Sequence, residues 1–148
     1  MPVRAHHGSE RLCQPIGLYS HGFLSVGIQR TLHIAGQLAV GAGQKSVGEG
    51  DFEAQFWQVF ANFGAVLEAA GMTFDHVVKF TTFVTDPAHI SEFYRVRAKV
   101  FPGLFTATEY PPNTLLVIQR LVRPEFLLEV EGIAVIADDM AVVTGVAE

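Results

Sequence analysis

The sequence predicts an α+β fold, a two-layer sandwich in which a mixed β-sheet carries two helices on one face. Three observations point there. Two stretches keep the apolar spacing of a helical face, β-branched and aromatic runs of strand length flank them, and 148 residues suit one compact core. The element order is strands, helix, strand, helix, strands, and it leaves the second sheet face apolar and uncovered. With 49% hydrophobic and only 17% charged residues, the composition excludes a disordered chain. A mean hydropathy of +0.30 in so small a domain makes self-association the expected cover for that face.

Each element follows from its residues. Positions 1–14 are polar, include His6 and His7, and are expected as a flexible arm; 15–137 form the domain and 138–148 a tail. From Ile16 to Val40 short apolar stretches are broken by Gly17, Gly22, Gly27 and Gly36, which predicts two or three strands joined by tight turns. Gly41 to Gly50 contains Lys45 and Ser46, but Gln44 stands where a phosphate-binding loop needs glycine, so this is a plain loop.

Asp51 is placed to cap a helix whose stripe runs Phe52, Phe56, Val59, Phe60, Phe63, Val66, Leu67 and Ala70, with Gly71 at its exit. Its four phenylalanines read as core. Val77 to Thr85 is a strand, and Asp86-Pro87 opens a second helix with Ile90, Phe93, Val96, Val100 and Phe101 on its apolar side, ended by Pro102-Gly103. After Pro111-Pro112, Leu115 to Gln119 reads as a strand, Leu121 to Glu125 as a turn and Phe126 to Ile136 as the last strand.

A net charge of −5 with ten scattered Lys and Arg residues argues against binding nucleic acid through phosphate neutralisation. The single cysteine, Cys13, has no intrachain disulfide partner, the N-terminus does not read as an export signal, and no apolar run is long enough for a membrane helix. A cytoplasmic protein without membrane partners is expected. The six histidines make no close pair within an element, so no metal site is expected. In the last strand Leu127, Glu129, Glu131, Ile133 and Val135 share one face. Glu129 is therefore a candidate proton-transfer group, with an ion pair to Arg120, Arg97 or Lys79 as the structural alternative.

A resemblance covers Pro15 to Ile136. Ile16-Gly17-Leu18-Tyr19-Ser20 resembles the opening IGPYS of the RidA family, also called YjgF or L-PSP, and Ile34-Ala35-Gly36-Gln37-Leu38 its VSGQI. Asp51 to Gly71 is similar to the helix with "EAQ" near its start and "LEAAG" at its end. Val77 to Asp86 resembles VVKTTVFLTD, and Glu129 to Ala134 resembles EIEAIA. Each fragment is weak alone, and their order makes the match specific.

The resemblance implies a chorismate-mutase-like subunit in a homotrimer, its sheets forming a central barrel and its ligand clefts lying between subunits. It implies cofactor-independent hydrolysis of small reactive imines or enamines to a keto acid and ammonia. Glu129 is then the catalytic position; Tyr19, Ala35, Gly36, Tyr94, Asn113 and Thr114 are the substrate-binding ones. Active members carry an arginine in a P-x-R-[ST] motif that grips the substrate carboxylate. Here the motif reads Pro111-Pro112-Asn113-Thr114, with asparagine at that place, and Arg97 and Arg123 are the candidate replacements. A metabolite-binding trimer without catalysis is the alternative, and an endoribonuclease is poorly supported by so acidic a chain.

Overall fold

The computed structural model describes residues 9–137 together with the backbone of Arg4–His6. The predicted tail, 138–148, lies outside the described residues. Within the stretch expected as an arm, Arg4–His6 forms a short strand, β1, which pairs antiparallel with β2 (Phe23–Ser25). Gly27, at φ 65, turns the chain from β2 into the main sheet, a conformation that favours glycine.

The main sheet has four strands in the order β3–β6–β4–β5. They are β3 (Ile28–Gln37), β4 (Val77–Val84), β5 (Asn113–Val117) and β6 (Leu128–Ala137). β6 runs antiparallel to β3 and β4, whereas β4 and β5 are parallel. This is the expected α+β arrangement with a mixed sheet. Both helices, α1 (Phe52–Ala69) and α2 (His89–Leu104), pack on one side of it.

Helix α1 starts where its cap predicts, with the Ala54 N–H donating to Asp51 Oδ1 at 3.0 Å. Phe52, Phe56, Phe60 and Phe63 are all buried. Their rings reach both the sheet and the second helix: Phe80 of β4 lies 5.2 Å from Phe63 and 6.0 Å from Phe101 of α2, centroid to centroid. Room for this packing comes from Gly132 on β6, where a Cβ would stand 2.7 Å from the Lys79 carbonyl oxygen and 2.8 Å from Phe63 Cζ.

Three boundaries differ from the sequence expectation. Helix α2 begins at His89 because Asp86 caps a preceding turn, accepting from the Ala88 N–H at 2.7 Å. It continues through Pro102 to Leu104, since a proline in the final turn removes only one donor. The Phe105 N–H still reaches the Phe101 carbonyl at 3.0 Å, and the two rings pack 5.0 Å apart. Finally, β5 starts at Asn113 rather than Leu115, because the Phe80 N–H donates to the Pro112 carbonyl and parallel pairing begins at once.

Gln55, fully buried on α1, ties the helix to the entrance of β6. Its Nε2 donates to the carbonyls of Gly48 (3.1 Å) and Glu125 (2.8 Å), and its Oε1 accepts from the Leu127 N–H at 2.8 Å. Leu127, expected on the strand face of Glu129, lies one residue before β6 begins and packs partly buried against the core.

Two stability outcomes follow, both read from urea unfolding midpoints. Gly132→Ala is expected to cost about 1–3 kcal/mol through overpacking, while Gly22→Ala, with nothing within 4 Å of the new methyl, should stay within about 0.5 kcal/mol. Gln55→Ala is expected to cost about 3 kcal/mol, because it strands the Glu125 carbonyl and the Leu127 N–H and opens a cavity. Near-neutral results at Gly132 or Gln55 would contradict this packing.

Candidate functional site

On β6 the side chains of Leu128, Val130 and Ala134 turn toward the helices and are buried, so Glu129, Glu131 and Ile133 face the other side of the sheet. Glu129 stands opposite Phe83 of β4. On its β3 side the register shifts between Ile34 and Gln37, a bulge that brings Ala35 and Gly36 alongside. A Cβ at Gly36 would lie 1.8 Å from Glu129 Oε1. Only glycine leaves the carboxylate that place.

Among the described residues the Glu129 carboxylate has no hydrogen-bond or ion-pair partner. The alternative ion pairs are not formed. Arg120 donates to the carbonyls of Leu121 (3.1 Å) and Val122 (3.2 Å), and Lys79 Nζ to Thr114 Oγ1 at 3.0 Å and to the Phe80 carbonyl. Burial, reinforced by the neighbouring Glu131 charge, pushes the Glu129 pKa up from the ordinary carboxylate value. Burial likewise pushes Lys79 down, against the opposing pull of Glu131. Glu129 borders an open depression of about 400 Å³ with Phe83, Ile118, Arg120 and Val122. A second depression, about 440 Å³, contains His33, Ala35, Lys79, Thr81 and Glu131.

A different group of predicted residues meets on the helix side. Tyr19 and Tyr94 lie around Arg97, whose Cζ is 6.0 Å and 4.8 Å from their ring centroids. Asn113 belongs to neither group: its Oδ1 accepts from the buried Thr82 hydroxyl at 2.8 Å. Its neighbour Thr114 turns to the opposite sheet face and takes the Lys79 bond. The chain therefore brings Gly36, Ala35 and Glu129 together, and separately Tyr19 and Tyr94. No hydrogen bond, ion pair or ring contact among the described residues links the two.

Of the two candidate replacement cations, Arg123 is occupied elsewhere. Its Nη1 donates to the Gln44 carbonyl (3.1 Å) and Ser46 Oγ (3.3 Å), with the guanidinium over Phe126. Arg97 is buried on the apolar side of α2. Its position was visible in the sequence as a lone cation four residues from both Phe93 and Phe101 on that helix. Lys79 and Thr82, which hold Thr114 and Asn113, carried no such signal because the pairing of β4 with β5 decides their contacts. No group of three His, Cys, Asp or Glu residues among the described ones could hold a metal ion.

Residues 9–136 match the family model described as endoribonuclease L-PSP. A RutC family protein of Synechocystis is 32% identical over 123 residues, which cover 82% of this chain and 88% of that one. Among solved structures, YyfB of Yersinia pestis, described as a Rid family protein of unknown function, is 33% identical with a TM-score of 0.79. That match covers 90% of this chain and 98% of YyfB. Escherichia coli TdcF, solved with bound serine, is 25% identical with a TM-score of 0.65, covering 88% and 97%. By sequence order, family model and fold alike, the chain belongs to the Rid family, also known as YjgF, RutC or L-PSP.

Proposed function

We propose that three copies of this chain form a trimer whose intersubunit clefts hydrolyse a small reactive imine or enamine. The observation that carries this reading is the Glu129 carboxylate, unpaired, half-buried and cradled by Gly36, on a sheet face that the helices leave open. Such a carboxylate can take a proton from water. Water adds to the imine carbon as Glu129 takes one of its protons and passes it to nitrogen; the resulting amino alcohol gives its hydroxyl proton to Glu129, which delivers it to the amine, and the C–N bond breaks to leave a carbonyl and ammonia. The enamine enters the same path after tautomerising to the imine. Subunit assembly would place the Tyr19 and Tyr94 group of one copy beside the Glu129 group of another.

TdcF holds serine, a ligand with a carboxylate, and a small carboxylate-bearing imine is the substrate class proposed here. At the position where the resemblance expects an arginine, Asn113 supplies a neutral amide whose oxygen is already engaged by Thr82. That engagement favours the second reading, a trimer that binds a metabolite without converting it. Cleavage of RNA has no such support, because the chain's net charge is −5.

The assay uses 2-iminobutyrate generated enzymatically in place. Wild-type protein is expected to accelerate its hydrolysis, and Glu129→Gln to lower the rate roughly 10²–10⁴-fold. Asn113→Arg with activity beside an inactive wild type would show a competent cleft tuned to another ligand, and inactivity of both would remove the deaminase reading. Light scattering should report three times the 16.1 kDa subunit mass; a monomer would exclude shared clefts.

The raised pKa of Glu129 has a defined sign. Its ionised form is disfavoured in the fold, so its contribution to stability is full below the ordinary carboxylate pKa of 4.5 and lost as pH rises through the folded value. Glu129→Gln is therefore expected to raise the melting temperature at pH 7–8 and to leave it unchanged near pH 3. Equal melting temperatures at both pH values would show that the carboxylate is not desolvated.

A further inference from the structure

Arg97 is 2% exposed, and its Nε and Nη2 are buried with no hydrogen-bond partner. Unpaired donors on a buried cation are costly, and native structures retain them rarely. The two orphaned nitrogens are not an arbitrary pair. They share one edge of the planar guanidinium, the edge that meets the two oxygens of a carboxylate in parallel hydrogen bonds.

The surroundings stabilise the cation without filling that edge. Rings of Tyr94 (4.8 Å), Phe93 (5.0 Å), Tyr19 (6.0 Å) and Phe101 (6.0 Å) surround Cζ. No Asp or Glu among the described residues pairs with it. Burial holds its pKa below the ordinary guanidinium value, with the Tyr94 and Tyr19 phenols acting in the opposite direction.

The cover over Arg97 is the backbone at Gly17: a Cβ there would stand 2.5 Å from Nη2 and 2.6 Å from Tyr94 Cε1. The segment carrying Gly17 has no regular secondary structure, and Ile16 is 79% exposed. Its one backbone bond among the described residues is internal, from the Tyr19 N–H to the Gly17 carbonyl. A segment so lightly held opens at low cost relative to the sheet.

We infer that Arg97 is an anion-binding residue whose Nε–Nη2 edge receives the carboxylate of a small ligand when the Ile16–Tyr19 segment lifts. It supplies, from helix α2, the cation that the resemblance places at Asn113. The aromatic walls of Tyr19 and Tyr94 suit a short, partly apolar carboxylate. This rests on the small-carboxylate reading of the cleft, yet it is separable from catalysis.

Calorimetric titration of the full chain with 2-oxobutyrate, and with its uncharged methyl ester, tests the inference. Wild type is expected to bind the acid at least tenfold more tightly than the ester. Arg97→Lys keeps a charge but loses the two-pronged edge, and should weaken acid binding at least tenfold while retaining a cooperative melting transition. Gly17→Ala places a methyl against Nη2 in the covered arrangement without removing the cation, so it disfavours that cover and should tighten acid binding several-fold. The assignment is overturned if wild type does not bind the acid, if acid and ester bind equally, or if either variant binds as wild type does. Turnover of 2-iminobutyrate that is undiminished in Arg97→Lys also overturns it and leaves imine hydrolysis standing. Acid-selective, Arg97-dependent binding without turnover supports it and removes the catalytic reading.

Discussion

The close approach of Phe63 to Gly132 sets the rest of the structure. Helix α1 can lie flat on the sheet only where β6 offers no side chain, and the phenylalanine ladder then commits one sheet face to the core. Because side chains alternate along a strand, that commitment also decides the opposite face. Once Leu128, Val130 and Gly132 turn toward α1, Glu129 and Glu131 must turn away. The candidate proton-transfer group is thus placed by packing on the far side of the sheet.

The unpaired charges in the fold show the same logic. Surface pairs such as Arg95 and Lys99 with Glu53 satisfy one another at the rim of the helices, where they contribute little to stability. Glu129 and Arg97 are different: the partly buried Glu129 carboxylate and the buried Nε–Nη2 edge of Arg97 lack the partners that desolvation demands. One is a carboxylate cradled by a glycine, the other a guanidinium beneath a glycine. Functional sites are where such local inconsistencies are expected, because a group held ready for a ligand cannot already be satisfied.

Much of this was legible in the residues. The helical stripe from Phe52 to Ala70, the Asp51 cap and the strand from Val77 were readable because period and capping chemistry are local. Gln55 was visible only as a letter in the "EAQ" fragment; its three bonds to distant backbone give the physical reason for a glutamine there. Asn113 stood two residues ahead of the strand expected from Leu115. It begins a strand because its parallel pairing with Phe80 is a contact between segments more than thirty positions apart. Within the chain Tyr19 and Glu129 lie on different sides of the sheet system, a separation that only the fold displays.

By itself, the sequence determined the fold class, the helix limits to within a few residues, the family and the candidacy of Glu129, all through patterns carried by neighbouring residues. Tertiary structure decided which charges are paired. Lys79 goes to Thr114, Arg120 to its own turn and Arg123 to the Gln44–Ser46 loop, which leaves Glu129 and the Arg97 edge open. Charge pairing is settled over a few ångströms between residues that strand register brings together, and no spacing along the chain encodes that distance.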